Sequence, residues 1–342
     1  MFLTAYNLSH FLMSKGLLTA RSLVDGDFSV SEAGRRNRNF KVRRGQQPGF
    51  FIKQVKVLDQ QATTTLQREA AFYRAVRQDP KYAALRNMMP QFVDYEPRRH
   101  AVTLALTDNA ESLAEKQQRE GVYEPGVLAQ LGRALATVHM HGPAMAADPA
   151  TREMFPYQVP WTFHLEQSGF NFVEAMGAIG PRLGPAIREF PALQPRLSAL
   201  RSSWSCDCLI HGDMKFDNCL YRSGELVVVD WELADIGDGA WDIASIFKDL
   251  ICACLLTSRG MDTVQPAMRA LWQAYRETRH MPVNELAFLD KCVAYTAPRM
   301  ILAVLEYLWN SPQMTPLGTS MLQTANYILE SPQVARFQML GY

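Results

Sequence analysis

The sequence predicts an α+β protein of two lobes: a small antiparallel β-sheet lobe carrying one helix, then a larger, mainly helical lobe. Three observations point there. Five short β-like runs lie between Phe28 and Leu106, joined by brief links that favour antiparallel neighbours over crossovers. One helical pattern interrupts them, and from Asp108 onward helical spacing dominates. The 342 residues also suit about two domains at roughly 150 residues each. The reading places residues 1–107 in a first lobe and 108–342 in a second.

Taken in order, the chain opens with an amphipathic helix expected over 3–18, ending near Gly16, and Val24-Asp25-Gly26-Asp27 then supplies turn chemistry. Residues 28–30, 39–43 and 50–57 read as strands, with 31–38 as a longer loop and 45–49 as a hairpin turn. Over 63–77, Leu66, Ala70, Phe72, Tyr73 and Val76 recur at helical spacing, and Pro80 ends the pattern. Residues 92–95 and 101–106 complete the five strands. In the second lobe, 127–139 puts Leu128, Leu131, Leu135 and Val138 on one stripe. The stretch 143–205, rich in Pro, Gly and aromatics such as Phe155, Trp161, Phe163, Phe170 and Phe172, either shapes a pocket or is an ordinary packed insertion. From 263 to 342 helical patterns alternate with expected breaks at Pro282, Pro298, Pro312 and Pro332.

Composition narrows the class of function. Apolar residues make up 48% and charged residues 20%, and 35 Lys+Arg against 34 Asp+Glu leave a net charge of +1. Neither a disordered chain nor a globally basic nucleic-acid binder fits. The apolar stretches 243–256 and 300–309 are interrupted by Lys248, Asp249 and Glu306 and fall short of the roughly 20 residues a membrane span needs. The N-terminal residues lack the basic head and small-residue cleavage site of a signal peptide. A cytoplasmic location with no membrane or nucleic-acid partner is therefore expected. The six cysteines are sparse, and Cys206/Cys208 and Cys252/Cys254 sit two apart, which suits reduced, mostly buried thiols.

Chemistry concentrates in 209–247, LIHGDMKFDNCLYRSGELVVVDWELADIGDGAWDIASIF. Strand-like runs at 219–222 and 225–229 flank Ser223-Gly224, a two-residue signal for a tight hairpin. Asn218 enters this hairpin and Asp230 leaves it, so the two oxygen-bearing side chains meet at its open end. Hard oxygen donors in such small number suit Mg2+, which completes its shell from water and phosphate, so a nucleotide is the natural partner. Asp213, on the loop leading in, is placed to accept a hydroxyl proton, and Lys215 offers a compact positive charge to a transferring phosphoryl group. His211 reads as a residue that hydrogen-bonds the loop backbone.

This segment resembles a family. H-G-D-M-K-F-D-N, with V-D-W-E placing Asp230 twelve residues after Asn218, looks like the catalytic and metal loops of the aminoglycoside phosphotransferase and choline kinase group, the small-molecule branch of the protein-kinase-like fold. The resemblance implies an ATP- and Mg2+-dependent phosphotransferase acting on a hydroxyl, with Asp213 as base and Asn218 and Asp230 as metal ligands. Asp242 of Trp241-Asp242 would anchor the loop. Such a fold needs a lysine on the third strand and a glutamate on the next helix, and Lys53 and Glu69 stand there. Between the first two strands no G-x-G-x-x-G occurs; Gly34 and Asn37 give the shorter G-x-x-N form that would cover the phosphates. The 131–139 helix ending in His is similar to the family's as well.

The acceptor stays open at this stage. Residues 262–342 hold six acidic and six basic residues, so no acidic excess marks a site for polycationic aminoglycosides. Arg35, Arg36, Arg38, Lys41, Arg43 and Arg44 put six basic residues in ten on the first lobe, to meet phosphates or an acidic peptide, or as a solvated edge that blocks sheet pairing. G-R-R-N-R-N-F-K-V, F-I-K-Q and V-D-W-E-L-A-D-I-G-D further resemble kinase-like phosphotransferases of ribosomal (lanthipeptide-type) peptide biosynthesis, which implies a precursor Ser or Thr as acceptor and a partner lyase. A small-molecule kinase and a nucleotide-binding pseudokinase are the alternatives. A hydrolase or oxidoreductase lacks support, since no G-x-S-x-G elbow, Walker A loop or dinucleotide fingerprint occurs.

Overall fold

The computed structural model describes residues 2–33, 37–141, 154–164, 180–281, 285–309 and 313–342. In chain order the elements are α1 (Leu8–Ser14), α2 (Ala20–Val24), β1 (Phe28–Glu32), β2 (Arg38–Arg44), β3 (Gln47–Gln54), α3 (Gln60–Gln78), β4 (Phe92–Glu96), β5 (Ala101–Ala105) and β6 (Glu111–Ser112). There follow α4 (Leu113–Glu120), α5 (Pro125–His139), α6 (Gly180–Arg188), α7 (Leu193–Arg201), β7 (Cys208–Ile210), β8 (Cys219–Arg222), β9 (Glu225–Val228) and β10 (Asp235–Gly237). The C-terminal part is helical: α8 (Ala240–Thr257), α9 (Gln265–Arg279), α10 (Glu285–Trp309), α11 (Pro316–Glu330) and α12 (Pro332–Leu340). The α+β reading holds. Beside the 107/108 division read from the sequence, the contacts group 1–113 with 217–233 as one compact unit, and 114–216 with 234–342 as the other.

In the first unit the five expected strands form one antiparallel sheet in the order β1-β2-β3-β5-β4. Alternation along the strands sets its two faces. Phe40, Val42, Phe50 and Ile52 fall on one face and bury against Leu8, Phe11 and Leu12 of α1. Each such side chain withdrawn from water contributes about 1.5–3 kcal/mol. Lys53, next along β3 and paired with Asn39 and Val102, takes the opposite face in mid-sheet. Helix α3 starts where Asp59 accepts the Ala62 N–H at 2.7 Å, a helix-capping bond. Its buried stripe of Leu66, Glu69, Ala70, Phe72, Tyr73 and Val76 carries one carboxylate among apolar residues. The β8–β9 hairpin belongs to this unit because β6 pairs with β8. Ser223 and Gly224 both have positive φ, 50° and 90°, the backbone a two-residue hairpin turn demands.

Two expectations need correction. The opening helix does not run over 3–18: Thr4 N–H donates to Asn7 Oδ1 at 2.8 Å and Asn7 Nδ2 to the Phe2 carbonyl at 3.0 Å, and this local turn delays α1 until Leu8. A separate short helix, α2, follows, its first turn held by Thr19, which accepts the Ser22 N–H. Pro298 does not break a helix but lies inside α10, whose flanking Ala297, Met300 and Ile301 are fully buried; packing offsets the one lost backbone bond. Pro332 heads α12, where a missing N–H costs nothing. Gly34, Arg35, Arg36, Phe170, Phe172, Pro282 and Pro312 lie outside the described residues.

In the second unit α5 and α9 pack at close range, with Gly132 against the Leu271 carbonyl. The first half of α8 is buried almost without interruption, from Ala240 to Lys248. All six cysteines are free thiols, five of them buried and Cys206 exposed. Among the described residues no helix is long and apolar enough to cross a membrane.

Candidate active site

In the first unit, Lys53 gathers charge around itself. Its ammonium, 4% exposed, lies 2.9 Å from Glu69 Oε2, 2.5 Å from Asp230 Oδ1 and 2.8 Å from Glu232 Oε2. Three separate segments deliver these groups: β3 the lysine, α3 Glu69, and the turn after β9 both Asp230 and Glu232. Trp231 seats that turn. Its indole N–H donates to the Val228 carbonyl at 2.9 Å and its ring packs on Phe72 of α3 at 5.5 Å. Asp230 adopts a left-handed backbone, φ 66°, which turns the chain at the hairpin's open end. There Val229 N–H donates to the Asn218 carbonyl at 2.9 Å, and Asn218 is buried. Asn37 Nδ2 donates to Glu232 Oε2 at 3.1 Å.

The charges set one another's ionisation. Burial works against the Lys53 ammonium, but Glu69, Asp230 and Glu232 outweigh it and hold Lys53 protonated well above the ordinary lysine range. Burial pushes Glu69 up to about 7; Lys53 opposes this, while Asp230 and Glu232 add repulsion. Carboxylate oxygens of Glu69, Asp230 and Glu232 lie within 4.8 Å of one another. Such a set of hard oxygen donors, with the Asn218 amide beside the same hairpin, fits Mg2+ bound together with phosphates.

The second unit holds the 211–216 loop, pinned from beneath by Asp242. Asp242 Oδ2 accepts the His211 N–H at 2.7 Å and Oδ1 the Gly212 N–H at 3.1 Å. His139 Nε2 lies 3.2 Å from Asp242, His139 Nδ1 is 2.8 Å from the Tyr275 hydroxyl, and Arg279 donates to that hydroxyl at 2.9 Å. Burial acts to raise the Asp242 carboxyl, but His139 and His211 overcome it and hold it below the usual range. At the loop's far end Phe216 N–H donates to Asp249 Oδ2 at 2.8 Å. Asp213 Oδ2 meets Lys215 Nζ at 2.6 Å, and Arg299 Nη2 is 3.6 Å from Asp213 Oδ1. Here too burial opposes the charge, yet Lys215, Arg299 and His211 hold the Asp213 carboxyl below its usual range. It stays an acceptor at neutral pH.

Of the residues singled out from the sequence, Lys53, Glu69, Asn37, Asn218 and Asp230 fall in the first unit, Asp213 and Lys215 in the second, and Gly34 outside the described residues. Two residues with site contacts were not singled out. Glu232 stands in the same V-D-W-E run as Asp230 and was legible there. Arg299, inside an apolar helix, carries no local signal.

A family model described as "Phosphotransferase enzyme family" matches residues 27–282. No curated protein matches in sequence. Among solved structures, the chain is similar to a Plasmodium vivax ethanolamine kinase (TM-score 0.62, 13% identity, 96% of this chain and 88% of that one). It is also similar to choline kinase LicA from Streptococcus pneumoniae (0.54, 13%, 93% and 99%) and to macrolide 2'-phosphotransferase MphH from Brachybacterium faecium (0.51, 16%, 95% and 98%). At these identities the structures speak to the fold.

Proposed function

Because this chain belongs to the phosphotransferase enzyme family, we propose that it moves the γ-phosphoryl group of Mg2+-bound ATP to a hydroxyl acceptor. The observation that carries the reading is Lys53, buried and ringed by Glu69, Asp230 and Glu232. A buried lysine among three carboxylates holds more negative charge than one ammonium can balance, and a divalent cation bound with an anionic triphosphate answers that imbalance.

In this reading Lys53, steered by Glu69, binds the α- and β-phosphates, and Asn37 helps cover them. Asn218 and Asp230 would hold Mg2+, which neutralises charge on the phosphates when bound. Asp213 orients the acceptor hydroxyl and takes its proton as the oxygen attacks the γ-phosphorus. The bond to the β–γ bridging oxygen breaks and ADP leaves with the electron pair. Lys215 offsets charge on the transferring group. Little covalent work falls to the protein; catalysis is positioning and charge stabilisation.

For the acceptor we favour a small hydroxyl-bearing molecule, the class named for the ethanolamine, choline and macrolide enzymes of like fold. A peptide Ser or Thr is the second reading, supported by Lys215 at 2.6 Å from Asp213, the position of the lysine in the protein-kinase loop H-R-D-x-K-x-x-N. ADP release from MgATP in the presence of choline, ethanolamine, a macrolide, an aminoglycoside or a Ser/Thr-rich peptide separates these. Stimulation by small alcohols supports the first, and stimulation by the peptide alone supports the second and a partner lyase. With no stimulation and no transfer, a nucleotide-binding pseudokinase is left.

A further inference from the structure

We infer that Arg299 is a positioning residue for Asp213, gripping the loop on both sides of that carboxylate from a helix far along the chain. Arg299 lies on α10 and is 6% exposed. Its Nη1 points to the Gly212 carbonyl at 3.4 Å and its Nη2 to the Met214 carbonyl at 3.5 Å, the carbonyls of the residues on either side of Asp213. The same Nη2 is 3.6 Å from Asp213 Oδ1, whose partner oxygen Oδ2 takes Lys215 at 2.6 Å. The guanidinium rests on the Trp241 ring, 4.9 Å from its centroid, and the Trp241 indole N–H donates to the same Gly212 carbonyl at 3.1 Å. Indole and guanidinium together hold the Gly212 carbonyl, and the guanidinium also reaches the Met214 carbonyl.

The contacts of 3.4–3.6 Å are long, so the grip works through charge and shape more than through tight hydrogen bonds. A flat fork can meet two carbonyls and a carboxylate while stacking on an indole; an ammonium cannot do all of these at once. As a stability device the arrangement is poor. The Arg299 Nε–H is buried with no hydrogen-bond partner among the described residues. An apolar side chain of like volume would fill the space without that desolvation cost. What the cation does supply is a fixed direction and a stable negative charge for Asp213. Lys215, Arg299 and His211 are the charged and titratable groups that act most on Asp213 among the described residues.

The inference rests on Asp213 acting as the proposed base, so its test has an arm that needs no turnover. In the full-length chain labelled with 13C at aspartate carboxyls, the Asp213 signal is assigned by its loss in Asp213→Asn and titrated in wild type, Arg299→Met and Arg299→Lys. In Arg299→Met the Asp213 midpoint should rise by about 1 pH unit, the scale set by a cation within a few ångströms. In Arg299→Lys it should stay near wild type, because the charge remains. ADP release from MgATP, with the best acceptor of the panel above or with water, should fall roughly 10- to 100-fold in both variants while MgATP affinity holds within about twofold. A folded Arg299→Met whose Asp213 midpoint matches wild type overturns the inference. If that variant does not fold, Arg299→Lys with wild-type turnover overturns it. Turnover that does not depend on Asp213 itself would instead count against the base assignment, leaving the carboxyl titration to judge Arg299.

Discussion

At the scale of single residues, Lys53 sits among three carboxylates, and on the proposed function that excess of negative charge serves a divalent cation. Asp230→Ala should remove the Mg2+-dependent part of ATP binding, so that calorimetric affinity becomes the same with Mg2+ or with a chelator. Asp213→Asn should leave that affinity intact and lower transfer by about 10²- to 10⁴-fold, the usual share of a positioned base. Asp242 makes a separate prediction about stability. Its folded carboxyl is held below the usual range, so its stabilisation is present above the unfolded value of about 3.9 and is lost as pH falls through the lower folded value. Asp242→Ala should therefore cost about 3 kcal/mol in urea unfolding at pH 7, with the gap to wild type shrinking below about pH 4. That Asn218 and Asp230 flank the open end of one hairpin was legible in the sequence, because a Ser-Gly turn between two β-like runs fixes which residues end up opposite. Arg299 was not, because its partners lie far back in the chain and an arginine in an apolar helix looks the same wherever it points.

Among elements, the β8–β9 hairpin was readable because a Ser-Gly pair between two β-like runs admits few turns, and the observed positive φ at both residues follows from that geometry. The opening helix was misjudged for a reason of the same kind on the other side: Thr4 and Asn7 compete for the backbone by side-chain hydrogen bonds, which apolar spacing does not register. Pro298 shows packing overriding propensity within a buried helix. The α5–α9 contact supplies the test at this scale. A Cβ on Gly132 would strike the Leu271 carbonyl, whereas one on Gly126, in the first turn of the same helix, meets nothing within 4 Å. Gly132→Ala should destabilise the chain by about 1–3 kcal/mol in urea unfolding. Gly126→Ala should be neutral or stabilising by about 0.4–1 kcal/mol.

Over the whole molecule, a five-stranded antiparallel sheet and the helical majority could be anticipated because short links favour antiparallel neighbours and periodicity names the elements, but the place of β5 between β3 and β4 could not. The grouping of 217–233 with the first unit could not, since it depends on β6 meeting β8 across a long stretch of chain. That grouping puts Lys53, Glu69, Asn218, Asp230 and Glu232 in one unit and the Asp213 loop in the other, the chain passing between them at 113/114, 216/217 and 233/234. The account of the molecule as a phosphotransferase in which Asp213 is the base meets its most direct test in transfer of a γ-labelled phosphoryl group from MgATP to the most active hydroxyl acceptor, by wild type and by Asp213→Asn. The account predicts labelled acceptor and ADP in equal amounts from wild type, and almost none from a variant that still binds MgATP. Labelled acceptor made by Asp213→Asn at the wild-type rate would contradict it.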